Sequence, residues 1–142
     1  MNRYIILKER HREELEAFPM FFAFDNKQFK EGMESLGLQP DDTDKIYKAG
    51  NTGGFYRRTD AEEMREMFQR HQEELQAAIK ADETGEGFIL DMFSYELNNH
   101  EYCITARTSD ALEAIGLEED EVNKNPALKY GLQLAIKGQM AS

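Results

Sequence analysis

Tryptophan is absent from this chain of 142 residues, and cysteine occurs once, at Cys103. A lone cysteine excludes an internal disulfide and fits a reducing compartment, so a cytoplasmic protein is expected. No apolar run approaches the roughly twenty residues that cross a bilayer, and no membrane association is expected. The start, Met1 to Leu7, holds one short apolar run before Lys8-Glu9-Arg10, unlike a signal peptide. Bases are scarce in one place: residues 81–123 contain Arg107 alone against twelve Asp and Glu. The rest of the chain carries sixteen acids and sixteen bases, so the whole net charge of −11 lies in that segment. A chain charged this way repels phosphates and anionic lipid, which disfavours direct nucleic-acid or membrane binding.

What is present reads as a folded domain. Nine Phe, six Tyr and seven Met supply bulky core side chains, and 40% of residues are hydrophobic against 32% charged. One domain spanning 1–142 is expected, burying roughly two-thirds of its unfolded surface.

Tyr4, Leu7, His11, Leu15 and Phe18 recur at helical spacing, predicting a helix over 3–17 that Pro19 stops. Met20 to Phe24 is short, apolar and aromatic, as in a buried strand. Asp25 is positioned to cap a helix ending at Gly37. Residues 45–49 and 55–57 flank Gly50-Asn51-Thr52-Gly53-Gly54, which has the chemistry of a hairpin turn. The longest helix is predicted over about 60–81, followed by a helical segment from Phe88 to Leu97. Tyr102 to Ala106 reads as a strand, Ser109 as the cap of a short helix ending at Gly116, and 126–137 as a closing helix. These elements predict an α+β fold, with four to six helices packed on one face of a small, mainly antiparallel sheet.

Two strings echo each other. Residues 10–17 match residues 70–77 at six of eight positions, and Leu36-Gly37-Leu38 resembles Ile115-Gly116-Leu117. They are compatible with a degenerate helix–strand–helix repeat, about 3–38 and 60–117, or with chance recurrence of charged helices and glycine caps.

Candidate chemistry is sparse. His11 and His71, with Glu14 or Glu74, would suit zinc or iron if their helices packed antiparallel. Their order reverses the usual Glu-x-x-His, which favours semi-buried histidines bonded to neighbours, and no metal or cofactor is assigned. Glu96, His100 and Cys103 form a loose cluster, but no nucleophile motif frames it, and Cys103 reads as a small hydrophobe on a strand. Gly50 to Arg58 would let glycine amides and an arginine meet a nucleotide or other anion, in which case only one of Arg57 and Arg58 would take part. It lacks the Gly-Lys-Ser/Thr ending of a P-loop. Asp82 to Gly87 lacks the ligand spacing of a calcium loop.

The acidic segment remains. Its acids fall in two runs, 82–101 and 110–121, interleaved with Phe88, Phe93 and Tyr95. As a partner surface it would offer Asp82, Glu83, Glu86, Asp91, Glu96, Glu101, Glu118, Glu119, Asp120 and Glu121 to a basic protein. As a plain solvated face it would only maintain solubility.

The strings Phe18-Pro19-Met20-Phe21-Phe22-Ala23-Phe24, Lys45 through Arg57, and Thr84-Gly85-Glu86-Gly87-Phe88 through Tyr95-Glu96-Leu97-Asn98-Asn99-His100-Glu101-Tyr102 carry a resemblance running almost end to end. The chain resembles a family of short uncharacterised proteins encoded by bacteriophages and mobile elements. The resemblance implies a setting, the bacterial host cytoplasm, and brings no activity or functional residues. Genes in that setting often encode small inhibitors of host defence, including anti-CRISPR proteins, many acidic and some shaped like nucleic acid. The expectation is therefore a non-enzymatic binding protein that occupies a basic surface of a nucleic-acid-handling protein such as a CRISPR effector. The alternatives are a nucleotide- or small-molecule-binding domain or enzyme using Gly50–Arg58, and an accessory protein with no inhibitory role.

Overall fold

Asp82, the first residue past a predicted helix, turns inward and starts the next one. Its Oδ1 accepts the amide of Gly85 and its Oδ2 those of Gly87 and Ile89, each at 3.0 Å. Helix starts leave amides without intrahelical partners, and this carboxylate satisfies that of Ile89 together with two amides of the turn leading into the helix. The computed structural model describes residues 1–50 and 52–141; Asn51, read as part of the hairpin turn, and Ser142 lie outside them.

Among the described residues there are eight α-helices and three strands, in the order α1 (Arg3–Glu16), β1 (Met20–Phe22), α2 (Asn26–Ser35), β2 (Ile46–Lys48), β3 (Gly54–Arg57), α3 (Ala61–Ala81), α4 (Phe88–Asn99), α5 (Tyr102–Thr105), α6 (Ser109–Ile115), α7 (Glu119–Lys124) and α8 (Pro126–Ala141). The chain divides into two compact units: residues 1–10 with 73–142, and residues 11–72. Helices α1 and α3 each contribute one end to each unit.

The first unit is built around α4, which is apolar on most sides and accordingly buried. Ile89, Met92, Phe93 and Leu97 are fully enclosed, packed with Tyr4 and Leu7 of α1, Ile79 of α3, Leu112 and Ile115 of α6, Val122 of α7, and Leu128 and Ala135 of α8. The α8 backbone comes close at Gly131, where a Cβ would fall 2.5 Å from the Ile89 side chain and 2.7 Å from the Gly85 carbonyl oxygen.

The second unit holds the sheet, in the order β1-β3-β2, with Met20 opposite Tyr56 and Tyr47 opposite Tyr56 from the other side, both pairings antiparallel. Phe21, Phe29 and Phe55 meet with centroids 5.3–5.8 Å apart. They close over Met33, Leu36 and Ile46, and the Phe21 ring lies against α2 at Gly32, where a side chain would collide with it. Asp25 caps α2 as expected, accepting the Gln28 amide at 2.7 Å.

The expected four to six helices on one face of a sheet are corrected by this arrangement. There are eight among the described residues, and α5, α6 and α8 pack on α4 rather than on a sheet face. The additional helices are α5 and α7. Residues 102–105 read as a strand because Tyr, Ile and Thr favour one, but a strand requires a partner ladder. The sheet of the described residues is completed by β1, β2 and β3, and here the backbone closes its own bonds, Ala106 amide to Tyr102 carbonyl at 2.8 Å. Left-handed Glu101 and Ala106 bracket that turn. Cys103 is therefore on a helix and exposed, not a core residue of a strand. Ser109 begins α6 from inside rather than capping it.

Candidate functional site

The two acidic runs differ in how much of their charge the fold consumes. Asp82 is committed to the α4 start, and Asp91 accepts from both the backbone and the guanidinium of Arg3. Glu96 is 1% exposed, with Oε1 3.4 Å from the Lys8 amine. The Glu86 carboxylate accepts the Tyr130 hydroxyl at 3.3 Å. Glu83, Glu101, Glu118, Glu119, Asp120 and Glu121 are exposed. Glu121 also accepts the Glu118 amide at 3.2 Å, so acids that read as a charge cluster begin helix α7, where negative charge is favoured.

Some of the exposed acids share clefts within the first unit. Glu83 from the first run and Glu121 from the second line one cleft of about 600 Å³, with Ile79, Leu117 and Leu128 among its apolar walls and Lys80 as its cation. A neighbouring depression of about 500 Å³ is lined by Glu113, Glu118 and Glu119. His100, at the C-terminal end of α4, shares a third with Asp110 and Glu113. Of the aromatic residues interleaved with the acids, Phe88 and Phe93 are core residues and Tyr95 is half-buried.

Burial alone would push the Asp82 carboxyl up. The amides of Ile89, Gly85 and Gly87 and the Thr84 hydroxyl outweigh that and hold it below the usual carboxylate range.

The two histidines do meet. In the second unit the rings of His11 and His71 stack at 3.8 Å with 11° between planes, and Glu14 bonds to both Arg70 and His71. The Arg70 guanidinium, and then the His71 ring, hold Glu14 down at about 2. In the first unit Arg10 pairs with Glu74 at 2.8 Å. The echoed string Arg-His-x-x-Glu is thus a self-complementary contact pattern: arginine of each copy meets glutamate of the other, and histidine meets histidine. Reading charge sign at the i and i+4 positions of the two strings would have found it. Among the described residues no group of three His, Cys, Asp or Glu side chains is arranged to hold a metal. The second echo is one helix stop used twice. Leu38 bonds to the Met33 carbonyl and Leu117 to that of Leu112, each at 2.9 Å, across Gly37 and Gly116 at φ of +77° and +83°.

Both arginines of the Gly50–Arg58 string are engaged. Arg57 bonds to Asp60 at 2.8 Å and to the Leu36 carbonyl, while Arg58 bonds to the Ile46 carbonyl and lies 4.5 Å over the Tyr47 ring. A cavity beside the hairpin is lined instead by Lys48, which sequence reading passed over, and by Arg65. That cavity, about 340 Å³, is lined by Lys48, Ala49, Gly50 and Thr52 with aromatic and methionine side chains. The side chains of Glu96, His100 and Cys103 form no hydrogen-bonded set among the described residues.

The chain belongs to the family described as a family of unknown function (DUF7659), whose model matches residues 3–138. No curated protein and no solved structure matches it.

Proposed function

We propose that this DUF7659 member is a non-enzymatic binding protein whose first unit docks its acidic surface on a basic, nucleic-acid-handling surface of another protein and occludes it. The observation that carries the reading is the cleft shared by Glu83 and Glu121, which joins acids far apart in the chain around an apolar floor. Glu83, Glu101, Glu119 and Asp120 have no ion-pair partner among the described residues, so their charge is available to a partner. A charged rim around apolar contact area steers encounter and sets orientation, while the floor slows release. The resemblance to phage and mobile-element proteins makes an anti-CRISPR-type inhibitor in the bacterial cytoplasm the specific form of this proposal. No described helix is long and apolar enough to cross a membrane.

The test is capture of host proteins on the immobilised chain at low and high salt, with DNA as competitor, beside a Glu83→Lys/Glu121→Lys variant. A nucleic-acid-binding partner should be released by salt and by DNA, and the variant should hold it at least about tenfold more weakly. A partner retained through high salt and by the variant would sink the proposal.

A further inference from the structure

The second unit carries a cavity that the acidic-surface reading does not use. Its walls include Met20 and Phe22 of β1, Tyr56 of β3, and Met64 and Phe68 of α3. Phe22 and Phe68 remain 51% and 46% exposed, so the fold leaves this aromatic and thioether surface uncovered. Two cations line it and they are not equivalent. Arg65 is tied to Glu62 of its own helix. Lys48 is exposed and has no carboxylate partner among the described residues. In a chain of net charge −11, an unneutralised lysine at an apolar cavity is the feature that selects a ligand.

We infer that this cavity binds a small amphipathic monocarboxylate, its apolar chain between Met20, Phe22, Met64 and Phe68 and its carboxylate on Lys48. The volume lies at the small end of ligand pockets, which suits one aliphatic or aryl acid rather than a nucleotide. Burial of the chain supplies affinity, and methionine adapts its shape to different chains. The lysine distinguishes acid from alcohol or amine of the same length, because a charge-assisted bond is about twice as strong as a neutral one. The glycine-rich hairpin contributes the backbone from which Lys48 is presented, with the Ala49 amide bonded to the Gly54 carbonyl at 2.9 Å across it.

The experiment is calorimetric titration of the full chain with octanoate, octan-1-ol and octylammonium, with the methionine methyl resonances followed by NMR. Octanoate should saturate and shift the Met20 and Met64 methyls; octanol should bind about tenfold more weakly and octylammonium more weakly still. Lys48→Gln should erase the difference between octanoate and octanol while leaving the fold intact, and Ala61→Leu, which fills the cavity from α3, should abolish both. Equal affinity for octanoate and octanol in the parent chain, shifts confined to other methionines, or no saturable binding would overturn the inference. So would concentration-dependent shifts of Met20 and Met64 without ligand, which would identify a second copy of the chain as the occupant.

Discussion

Lys8 and Glu96 form a one-sided ion pair. The lysine amine is 3.4 Å from Glu96 Oε1 and the lysine side chain remains 46% exposed, whereas the glutamate is in the core and its Oε2 has no hydrogen-bond partner among the described residues. The amine also lies 5.4 and 5.1 Å from the ring centres of Tyr4 and Tyr95. Removing the lysine leaves a carboxylate stranded in an apolar core, while removing the carboxylate strands nothing. Lys8→Met should therefore cost about 1–3 kcal/mol, and Glu96→Met should be close to neutral or stabilising. Urea denaturation of the two variants reads the asymmetry; equal losses would refute it.

Burial, then the Glu96 charge, pushes the Tyr4 phenol well above its ordinary value of 10.0. A raised folded value favours folding while the group stays protonated, so this contribution is complete below pH 10 and is lost as pH rises above it. Ultraviolet titration of the folded protein should find the Tyr4→Phe variant lacking the last tyrosine to ionise.

Glu14 makes the acid-side counterpart. Its ordinary value of 4.5 falls to about 2 beside Arg70 and His71. A lowered folded value stabilises above the unfolded value, so the contribution is present above pH 4.5 and disappears as pH falls through about 2. Arg70→Ala should move the Glu14 carboxyl resonance midpoint back toward the ordinary range, and His71→Ala should move it less.

Two glycines of α8 should respond to the same change with opposite sign. Glycine inside a helix normally costs about 0.5–1 kcal/mol relative to alanine. Gly138 has open space around it, so Gly138→Ala should gain about that amount. Gly131→Ala drives a methyl into Ile89 and the Gly85 carbonyl and should lose about 1–3 kcal/mol. Thermal melts of both variants decide the point.

Asp82 and Glu83 are adjacent acids with different work. Asp82→Ala releases the amides of Gly85, Gly87 and Ile89 and should cost about 1–2 kcal/mol, more steeply felt above the range where its carboxyl ionises. Glu83→Gln should leave the melting temperature unchanged and weaken only partner binding.

Much of the local structure was written in nearest-neighbour chemistry. Pro19 ends α1 because it lacks an amide hydrogen, Asp25 opens α2 because its carboxylate reaches the Gln28 amide, and Gly37 and Gly116 end helices because they adopt positive φ readily. Each depends on residues within a few positions, so each was legible. Residues 102–105 were not, since strand preference becomes a strand only when another edge is present to pair with it. The acidic runs were half legible: their charge is plain in the sequence, but Asp82, Asp91 and Glu96 are indistinguishable there from Glu83 and Glu119.

The sequence by itself determined the stop at Pro19, the helix start at Asp25, the glycine stops, the hairpin and the confinement of net charge to residues 81–123. Those follow from backbone sterics, side-chain reach and counting. Tertiary structure alone decided which acids remain free, that Glu83 and Glu121 share a cleft, that the echoed arginine–glutamate strings complete one another, and that Lys48 rather than Arg57 or Arg58 lines the apolar cavity. Charge is a property of the residue, whereas its availability depends on which distant partner packing has already supplied.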